Sequence, residues 1–299
     1  MEAGTALIDS DWWRRVRRSP SPLFARQLAA ANVAPAELRL TDLARLPSLQ
    51  PGDLDFASLE DPLGAPRLAD AARPVRLGAC ERDGATIVVT FTPNDLQRVA
   101  EYGARALAAA GVVPGMKVAN TLEGGLETPG SLILGDALER LGALDVPLGP
   151  ARDEKAAKAL AAMVDRVAAD VLVLDGGTGA ALLAELRKHP PHSWQGTLWL
   201  GGEPPSGLPG WCRRWISVPE TSIFFAVDCR SGNLHADPEV HLEERGRSLR
   251  LTSLAGDAPL FAYDPGLALR LVRAPCPCGD SRIAVTVREP DLTGPRGGA

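Results

Sequence analysis

Segments typical of strands and helices alternate through the middle of the chain, and this alternation limits the possible folds more than any other feature. A β-branched run at 85–92 precedes a helical pattern from Pro93 to about Ala110, which Gly111 ends. The strand-like segments MKVANTL, ALDVPLG, DVLVLDG and GTLWLGG then follow, with helical segments between them. Because parallel strands need crossover connections, the pattern predicts an α/β fold: a layered parallel sheet with helices on both faces.

The pattern changes on both sides of this region. The N-terminal part contains short helical segments and a stretch at 51–74 that is rich in Pro, Asp and Gly and predicts a surface loop. After about residue 210, strands and turns replace the alternation. We therefore predict an N-terminal helical and loop region at 1–75, an α/β core at 76–210 and a smaller β-rich subdomain at 211–299.

Three cysteines and a histidine in the last third of the chain have the composition of a closed zinc site. They occur as Cys-x5-His and Cys-x-Cys and are Cys229, His235, Cys276 and Cys278. Three thiolates and an imidazole complete the tetrahedral coordination of Zn²⁺ and leave no position for water. We predict a structural zinc ion that cross-links and stabilises the β-rich subdomain. A strained disulfide or idle thiols are the alternatives for the proline-flanked pair.

The composition argues against several classes of function. At 299 residues and 45% hydrophobic content, the chain is expected to be globular. A net charge of −5 argues against a nucleic-acid partner. The sequence shows no apolar segment of signal-peptide or membrane-spanning type, and five cysteines fit a reducing compartment. We therefore expect a cytoplasmic protein without a membrane partner.

A set of segments occurs in an order that is specific to one enzyme family. The segments are AELRLTDLARLPSLQPGDL, VVTFTPNDLQ, AAAGVVPGMKVANTLEGG, ERLGALDVPLGP, GGEP and PCPCGDSRI. In this order they resemble the phenylacetate–CoA ligase branch of the adenylate-forming acyl-CoA synthetase superfamily. The resemblance implies an enzyme that joins a carboxylate to ATP and passes the acyl group to coenzyme A. It also implies zinc ligands like the four named above.

The segment that corresponds to the phosphate loop of the family differs in its chemistry. The family uses a loop rich in Ser, Thr and Gly that ends in Lys-Pro-Thr, whereas residues 79–86 here read ACERDGAT. Glu81 and Asp83 would place two carboxylates against a triphosphate. Arg82 lies between them and is expected to pair with these acids.

Other positions that correspond to ATP-handling motifs also differ. The magnesium-binding Tyr-Gly-x-Thr-Glu motif keeps only its glutamate, Glu220, and Leu267 replaces the aspartate that holds the ribose hydroxyls. The stretch after the cysteine pair leads us to expect no lysine-bearing C-terminal lid domain. We therefore predict a degenerate ligase homologue for which ATP and Mg²⁺ are not cofactors.

The remaining architecture is a cleft for a small aromatic or acyl ligand in a biosynthetic pathway. One hypothesis is a repurposed catalyst of cyclase, condensing or transfer type that does not use ATP. A second is a non-catalytic scaffold for an active ligase or carrier protein, with exposed tryptophans as anchor residues of the interface. The alternative role of these tryptophans is to fill the core. A third is an atypical adenylating ligase completed by another chain. The tryptophans are Trp12, Trp13, Trp194, Trp199, Trp211 and Trp215.

The resemblance also selects candidate site residues. Glu220 and Asp228 are the candidate catalytic acid–base pair, because both positions line the ligand site in the family. An alternative role for Asp228 is to orient the neighbouring zinc ligand Cys229. The candidates for ligand binding are Gly202, Glu203, Pro204 and Tyr263.

Overall fold

Short helices form the N-terminal part of the protein in a computed structural model that describes residues 11–61, 66–177, 179–246 and 248–287. Helix α1 is Asp11–Arg18, α2 is Pro22–Ala30 and α3 is Pro51–Glu60, with 3-10 segments at Pro35–Glu37 and Leu40–Arg45. Helix α2 begins after Ser21, whose hydroxyl accepts a hydrogen bond from the backbone N–H of Phe24 at 3.1 Å and caps the first turn.

Helix α3 lies where the Pro, Asp and Gly content predicts a loop, so that prediction is wrong for residues 51–60. Pro51 takes the first helical position, and Asp53 accepts a hydrogen bond from the backbone N–H of Gln50 at 2.8 Å. A proline at the first position and an acid in the first turn are both helix-start signals. The high Pro, Asp and Gly content of the whole segment favoured a loop, although these two residues favour the start of a helix.

One large sheet carries the rest of the fold. In the described ranges nine strands are hydrogen-bonded in the order β12-β13-β9-β8-β7-β6-β5-β3-β4. They are β3 Lys117–Asn120, β4 Leu144–Pro147, β5 Val171–Asp175, β6 Gly196–Leu200, β7 Trp211–Val218, β8 Ser222–Asp228, β9 Leu234–Ala236, β12 Leu269–Val272 and β13 Ala284–Val287. Strands β4, β3, β5, β6 and β7 pair in parallel, whereas β7, β8, β9, β13 and β12 pair antiparallel. The sheet is therefore mixed rather than wholly parallel.

Most strands of the β-rich part of the chain extend this sheet. Strand β7 pairs in parallel with β6 across residue 210, with Leu200 opposite Trp215. Two hairpins stand outside the large sheet. They are β1 Arg76–Arg82 with β2 Ala85–Phe91, and β10 Val240–Arg245 with β11 Ser248–Ser253. Residues 1–10 and 288–299 of the predicted regions lie outside the described residues.

Helices cover both faces of the parallel half of the sheet, as predicted. They are α4 Pro93–Ala110, α5 Ser131–Leu141, α6 Glu154–Val167 and α7 Gly179–Lys188. Strand β5 shows the arrangement, because its alternate residues enter different cores. Val171 and Val173 pack with buried residues of α4 and α5, whereas Leu172 and Leu174 pack with those of α6 and α7. Among the described residues, each helix is too short or too polar to span a lipid bilayer.

The tryptophans belong mostly to the core, so they do not supply exposed anchors for a partner protein. Trp13, Trp194, Trp199 and Trp215 are buried. Trp12 and Trp211 are half-buried. Trp215 stacks on Phe224 with ring centroids 4.7 Å apart and donates its indole N–H to the carbonyl of Ile223. This contact fixes β7 against β8 in the middle of the sheet.

The close approach of α4 to β8 depends on Gly103, and this contact gives a test of the packing. A Cβ atom at Gly103 would lie 2.4 Å from a ring carbon of Phe224 and 2.7 Å from the Cβ of Ala137. We expect Gly103→Ala to lower the free energy of unfolding by about 1–3 kcal/mol, because overpacking outweighs the gain in helix propensity. Urea unfolding followed by tryptophan fluorescence measures the change.

The matched control is Gly52→Ala in the first turn of α3. A Cβ atom at Gly52 meets nothing within 4 Å, so this variant is expected to keep or gain stability. Equal stability of the two alanine variants would contradict the packing described for α4.

Candidate functional site

A cleft of about 760 Å³ lies at the carboxyl ends of β6 and β7. Its walls come from these strand ends, from β1, from residues 127–129 and from the loop that enters β12. Most of the wall is apolar and includes Leu200, Ile216, Pro219, Leu267 and Leu269. In open α/β sheets, ligands bind outside the carboxyl ends of the strands, so the cleft occupies the expected place for a ligand site.

The segment that the resemblance matches to the phosphate loop is a strand-turn-strand hairpin. Asp83 and Gly84 form its two-residue turn with φ angles of 50° and 79°, and Arg82 pairs directly with Ala85. Two consecutive positive φ angles define a type I′ turn, for which Asp-Gly is a preferred sequence. This dipeptide is the signal in the sequence that predicts a hairpin here. Residues 79–82 are therefore strand residues rather than a loop that wraps phosphates.

Arg82 reaches from the tip of this hairpin to Glu220. Its Nε lies 2.5 Å from Oε1 of Glu220 and its Nη2 lies 3.2 Å from Oε2, so the pair is bidentate. The side chain of Glu220 is only 1% exposed. Glu81 instead accepts a hydrogen bond from Thr86 at 2.6 Å. The prediction that Arg82 pairs with the acids beside it is therefore wrong, because its partner comes from a distant turn.

Tyr263 adds a third side chain to the contact between Arg82 and Glu220. Its hydroxyl donates to Oε1 of Glu220 at 2.8 Å, and the residue is fully buried. Burial and then the negative charge of Glu220 raise the pKa of Tyr263 far above its ordinary value. The phenol is thus a permanent donor to Glu220. The predicted ligand-binding residue Tyr263 lies beneath the hairpin, not among the residues that line the cleft.

Asp228 lies at the other end of β8 from Glu220. Its Oδ2 accepts from the backbone N–H of Arg214 at 2.9 Å and from Nε of the same residue at 3.1 Å. Its Oδ1 has no hydrogen-bond partner among the described residues. Six strand steps from Ser222 to Asp228 cover roughly 20 Å. The structure therefore does not bring the two candidate acids, Glu220 and Asp228, together.

The GGEP segment follows β6 and divides between two places. Gly202 lines the cleft, whereas Glu203 is exposed and pairs with Arg214 at 2.9 Å. Arg214 thus links Glu203 to Asp228. Pro204 is half-buried and is not among the cleft-lining residues. Of the ligand-binding candidates, Gly202 is the one that the structure places in the wall of the cleft.

The predicted zinc ligands meet in one cluster. The ligand atoms of Cys229, His235, Cys276 and Cys278 all lie within 4.8 Å of one another. Cys229 Sγ is 3.7 Å from Cys276 Sγ, and Cys278 Sγ is 3.3 Å from Nε2 of His235. A zinc–sulfur bond of about 2.3 Å gives a tetrahedron with sulfur–sulfur edges of about 3.8 Å. The cluster therefore has the donors and the size that a tetrahedral zinc ion needs.

Neighbouring groups orient these four side chains for a metal. The pairing of β9 with β13 places His235 opposite Ala284, and the turn between β12 and β13 brings the two cysteines over it. His235 Nδ1 lies 3.3 Å from the carbonyl oxygen of Arg282, an arrangement that leaves Nε2 free as a ligand atom. Hydrogen bonds, first from the backbone of Cys278, lower the pKa of Cys276 to about 6, whereas desolvation first raises the pKa of Cys278 to about 11. A low pKa favours the thiolate, the form that binds metal, at Cys276.

Comparison with known proteins gives sequence relatives for nearly half of the chain. No family model matches it. It is 37% identical over 135 residues to a phenylacetate-coenzyme A ligase of Thermus thermophilus and 34% identical over 139 residues to that of Escherichia coli. The chain resembles phenylacetate–coenzyme A ligases. The alignments cover 45% and 46% of this chain, but the chain spans only 29% and 31% of the length of these ligases.

Solved structures of an acyl-CoA ligase share the fold over most of the chain. 2-Hydroxyisobutyryl-CoA ligase in an open conformation with 2-HIB-AMP and CoA has a TM-score of 0.78 at 17% identity, and covers 92% of this chain and 70% of its own. The same ligase in its thioesterification state has a TM-score of 0.79 at 17% identity, with 95% and 66% covered. The α/β fold that the alternation of strands and helices predicts is therefore confirmed, with a mixed rather than a wholly parallel sheet.

The buried pair of Arg82 and Glu220 generates a prediction about stability. Arg82→Met is expected to lower the free energy of unfolding by about 3–5 kcal/mol, because it leaves a buried carboxylate without its cation. The double variant Arg82→Met/Glu220→Gln removes that charge and should recover most of the loss. Urea unfolding curves of the single and double variants measure the difference.

The control is Arg152→Met, which breaks the pair between Arg152 and Glu123. The side chain of Arg152 is 72% exposed, so the stability should change by less than about 1 kcal/mol. A double Arg82→Met/Glu220→Gln variant that is as unstable as Arg82→Met alone would contradict a charge-based role for the buried pair.

Proposed function

We propose that the cleft at the carboxyl ends of β6 and β7 binds a small aromatic or acyl molecule and that it does so without ATP or Mg²⁺. The observation that carries this proposal is the state of Glu220. Both of its carboxylate oxygens accept hydrogen bonds, from Arg82 and from Tyr263, and the side chain is buried. This is the glutamate at the position that holds magnesium in the resembling family.

A magnesium ion at Glu220 would have to displace Arg82. Mg²⁺ binds through carboxylate oxygens in a strict octahedral shell that keeps several waters. A guanidinium within hydrogen-bond distance of both oxygens repels a divalent cation and takes the lone pairs that the ion needs. Glu220 is therefore better suited to positioning the β1–β2 hairpin than to holding a metal ion.

The cleft also lacks a free positive charge for polyphosphate. Arg82 is the one cation among the described residues that line it, and Glu220 neutralises it. Glu81 and Glu127 line the same cleft and add negative charge. A triphosphate would meet this repulsion without the backbone cradle that a phosphate loop supplies.

The size and lining of the cleft suit a small, largely apolar ligand. Small-molecule sites enclose roughly 300–1,000 Å³ and are lined mainly by apolar side chains with a few polar groups. The volume of about 760 Å³ and the wall of Leu, Ile and Pro residues agree with this description. The proposal is limited to binding, because Glu220 and Asp228 are apart and burial raises the pKa of the cleft thiol Cys80 to about 12.

Gly202 allows a direct test of ligand binding. A Cβ atom at Gly202 meets nothing within 4 Å, so Gly202→Leu should fold normally and project its side chain into the cleft. We expect phenylacetamide, an uncharged aromatic probe, to raise the melting temperature of the parent protein and not that of Gly202→Leu. A ligand at a hundred times its Kd stabilises the folded state by about 2.7 kcal/mol.

Two comparisons complete this test. Gly52→Leu, which adds the same side chain away from the cleft, should keep the response to phenylacetamide. ATP with Mg²⁺ should leave the melting temperature of the parent protein unchanged. A clear rise with ATP and Mg²⁺ would overturn the proposal and favour an adenylating ligase.

We also propose that Cys229, His235, Cys276 and Cys278 hold a structural zinc ion. Support comes from the donor set, the distances within the cluster and the contact between His235 Nδ1 and Arg282. With three thiolates and one imidazole the ion has no open position, so it would tie the turn between β12 and β13 to β8 and β9. The cytoplasm, a reducing compartment, is the location that we propose for a site that needs three reduced thiols.

Removal of one thiolate tests the zinc proposal. Cys276→Ser is expected to lose the zinc measured by inductively coupled plasma mass spectrometry and to lower the free energy of unfolding by several kcal/mol, because zinc binding contributes folding energy. Cys212→Ser changes a half-buried thiol outside the cluster and should keep one zinc per chain. Unchanged zinc content in Cys276→Ser would exclude the site.

A further inference from the structure

The distribution of charge around the cleft determines which ligands it favours. The described residues that line it include three with formal charge, namely Glu81, Arg82 and Glu127. Arg82 is bound bidentately by Glu220, so its positive charge is already balanced. Among the described residues that line the cleft, no further cation balances Glu81 and Glu127. The cleft therefore has a net negative charge, carried by two exposed carboxylates beside an apolar wall.

The fold places both carboxylates on one side of the hairpin. Glu127 pairs in parallel with Ala79 of β1, and Glu81 lies two residues further along the same strand. Residues two apart in a strand point to the same face, so the side chains of Glu81 and Glu127 share one face of β1, and both residues line the cleft. Within the described ranges, neither carboxylate forms an ion pair with a Lys, Arg or His. Arg152, a nearby cation, pairs with Glu123 at 2.7 Å instead.

The surroundings of Glu127 increase its need for a cation. Glu127 is exposed, yet partial desolvation, followed by the charges of Glu123 and Asp175, raises the pKa of Glu127 against an opposing contribution from Arg152. A positive group beside Glu127 would reverse this effect, because an opposite charge stabilises the carboxylate. The raised pKa agrees with a carboxylate that gains from a cationic ligand.

A buried hydroxyl in the same wall also lacks a partner. Ser217 Oγ is shielded from solvent and makes no hydrogen bond to any described residue. An unpaired buried polar atom costs free energy, and a ligand that reaches Ser217 Oγ would supply the missing partner. An ammonium group is a donor and suits a hydroxyl oxygen as an acceptor, as well as the two carboxylates.

We infer that the ligand of this cleft carries an ammonium group on an aromatic or aliphatic body, with Glu81 and Glu127 as its counter-charges and Ser217 as an additional acceptor. This inference rests on the proposed binding function of the cleft. It departs from the carboxylate substrates that the resemblance implies, since a carboxylate in the cleft would face two like charges.

Probes of equal size and different charge test the inference. Isothermal titration calorimetry at low salt compares 2-phenylethylamine, phenylacetamide and phenylacetate, which share one aromatic body. We expect the amine to bind at least about tenfold more tightly than the carboxylate, with the amide between them. The preference should shrink in 0.5 M NaCl, because salt screens partly exposed charges.

Charge-removing variants identify the carboxylates responsible. In Glu81→Gln/Glu127→Gln the affinity for the amine should fall about tenfold or more, while the affinity for phenylacetamide stays within about twofold. Glu139→Gln, which removes an exposed carboxylate from α5, should leave all three affinities unchanged.

Each outcome separates this inference from the proposed function. Binding of phenylacetate as tight as that of the amine overturns the inference and leaves the binding function intact. An amine preference that survives the double variant also overturns it. If Gly202→Leu has no effect on any of the three probes, the proposed function of the cleft fails as well.

Discussion

The buried carboxylate of Glu220 requires a cation, and Arg82 supplies it across a long separation in sequence. Because both groups are largely removed from water, loss of either partner leaves a charge that the interior tolerates poorly. The pair therefore fixes the β1–β2 hairpin above the turn that precedes β8. Tyr263 adds a buried hydroxyl donor to the same carboxylate. The shape of the cleft follows from the position of the hairpin.

The same contact connects the fold to function. An arginine that is free to move would offer a positive charge to an anionic ligand, whereas Arg82 is bound to Glu220 through two hydrogen bonds. The remaining charges in the cleft are then carboxylates, and its wall is mostly apolar. The likeness to acyl-CoA ligases in fold thus coexists with cleft chemistry that differs from the phosphate loop of that family. The proposals of ligand binding without ATP and of a cationic ligand depend on this difference.

The cluster of three cysteines and a histidine depends on a different kind of constraint. Its four residues come from two distant stretches of chain, and the pairing of β9 with β13 brings them together. The spacing in sequence was sufficient to predict the set, because zinc ligands come as short pairs of Cys and His. The sequence did not indicate the role of Arg282, whose backbone carbonyl orients His235. A backbone carbonyl is present at every residue, so only the fold selects the one that acts.

Local patterns determined the helices and strands of the middle of the chain. The capping box of Thr92 and Asp95 and the left-handed Gly111 mark the two ends of α4, and both follow from residue chemistry over a few positions. Tertiary structure alone decided the partner of Arg82, the separation of Glu220 from Asp228 and the antiparallel extension of the sheet. These three features depend on contacts between groups that are far apart in sequence. The identity of a side chain does not show which distant residue it contacts in the fold. The sequence therefore specifies the helices, the strands and the types of ligand residue. The tertiary structure determines which charged groups pair.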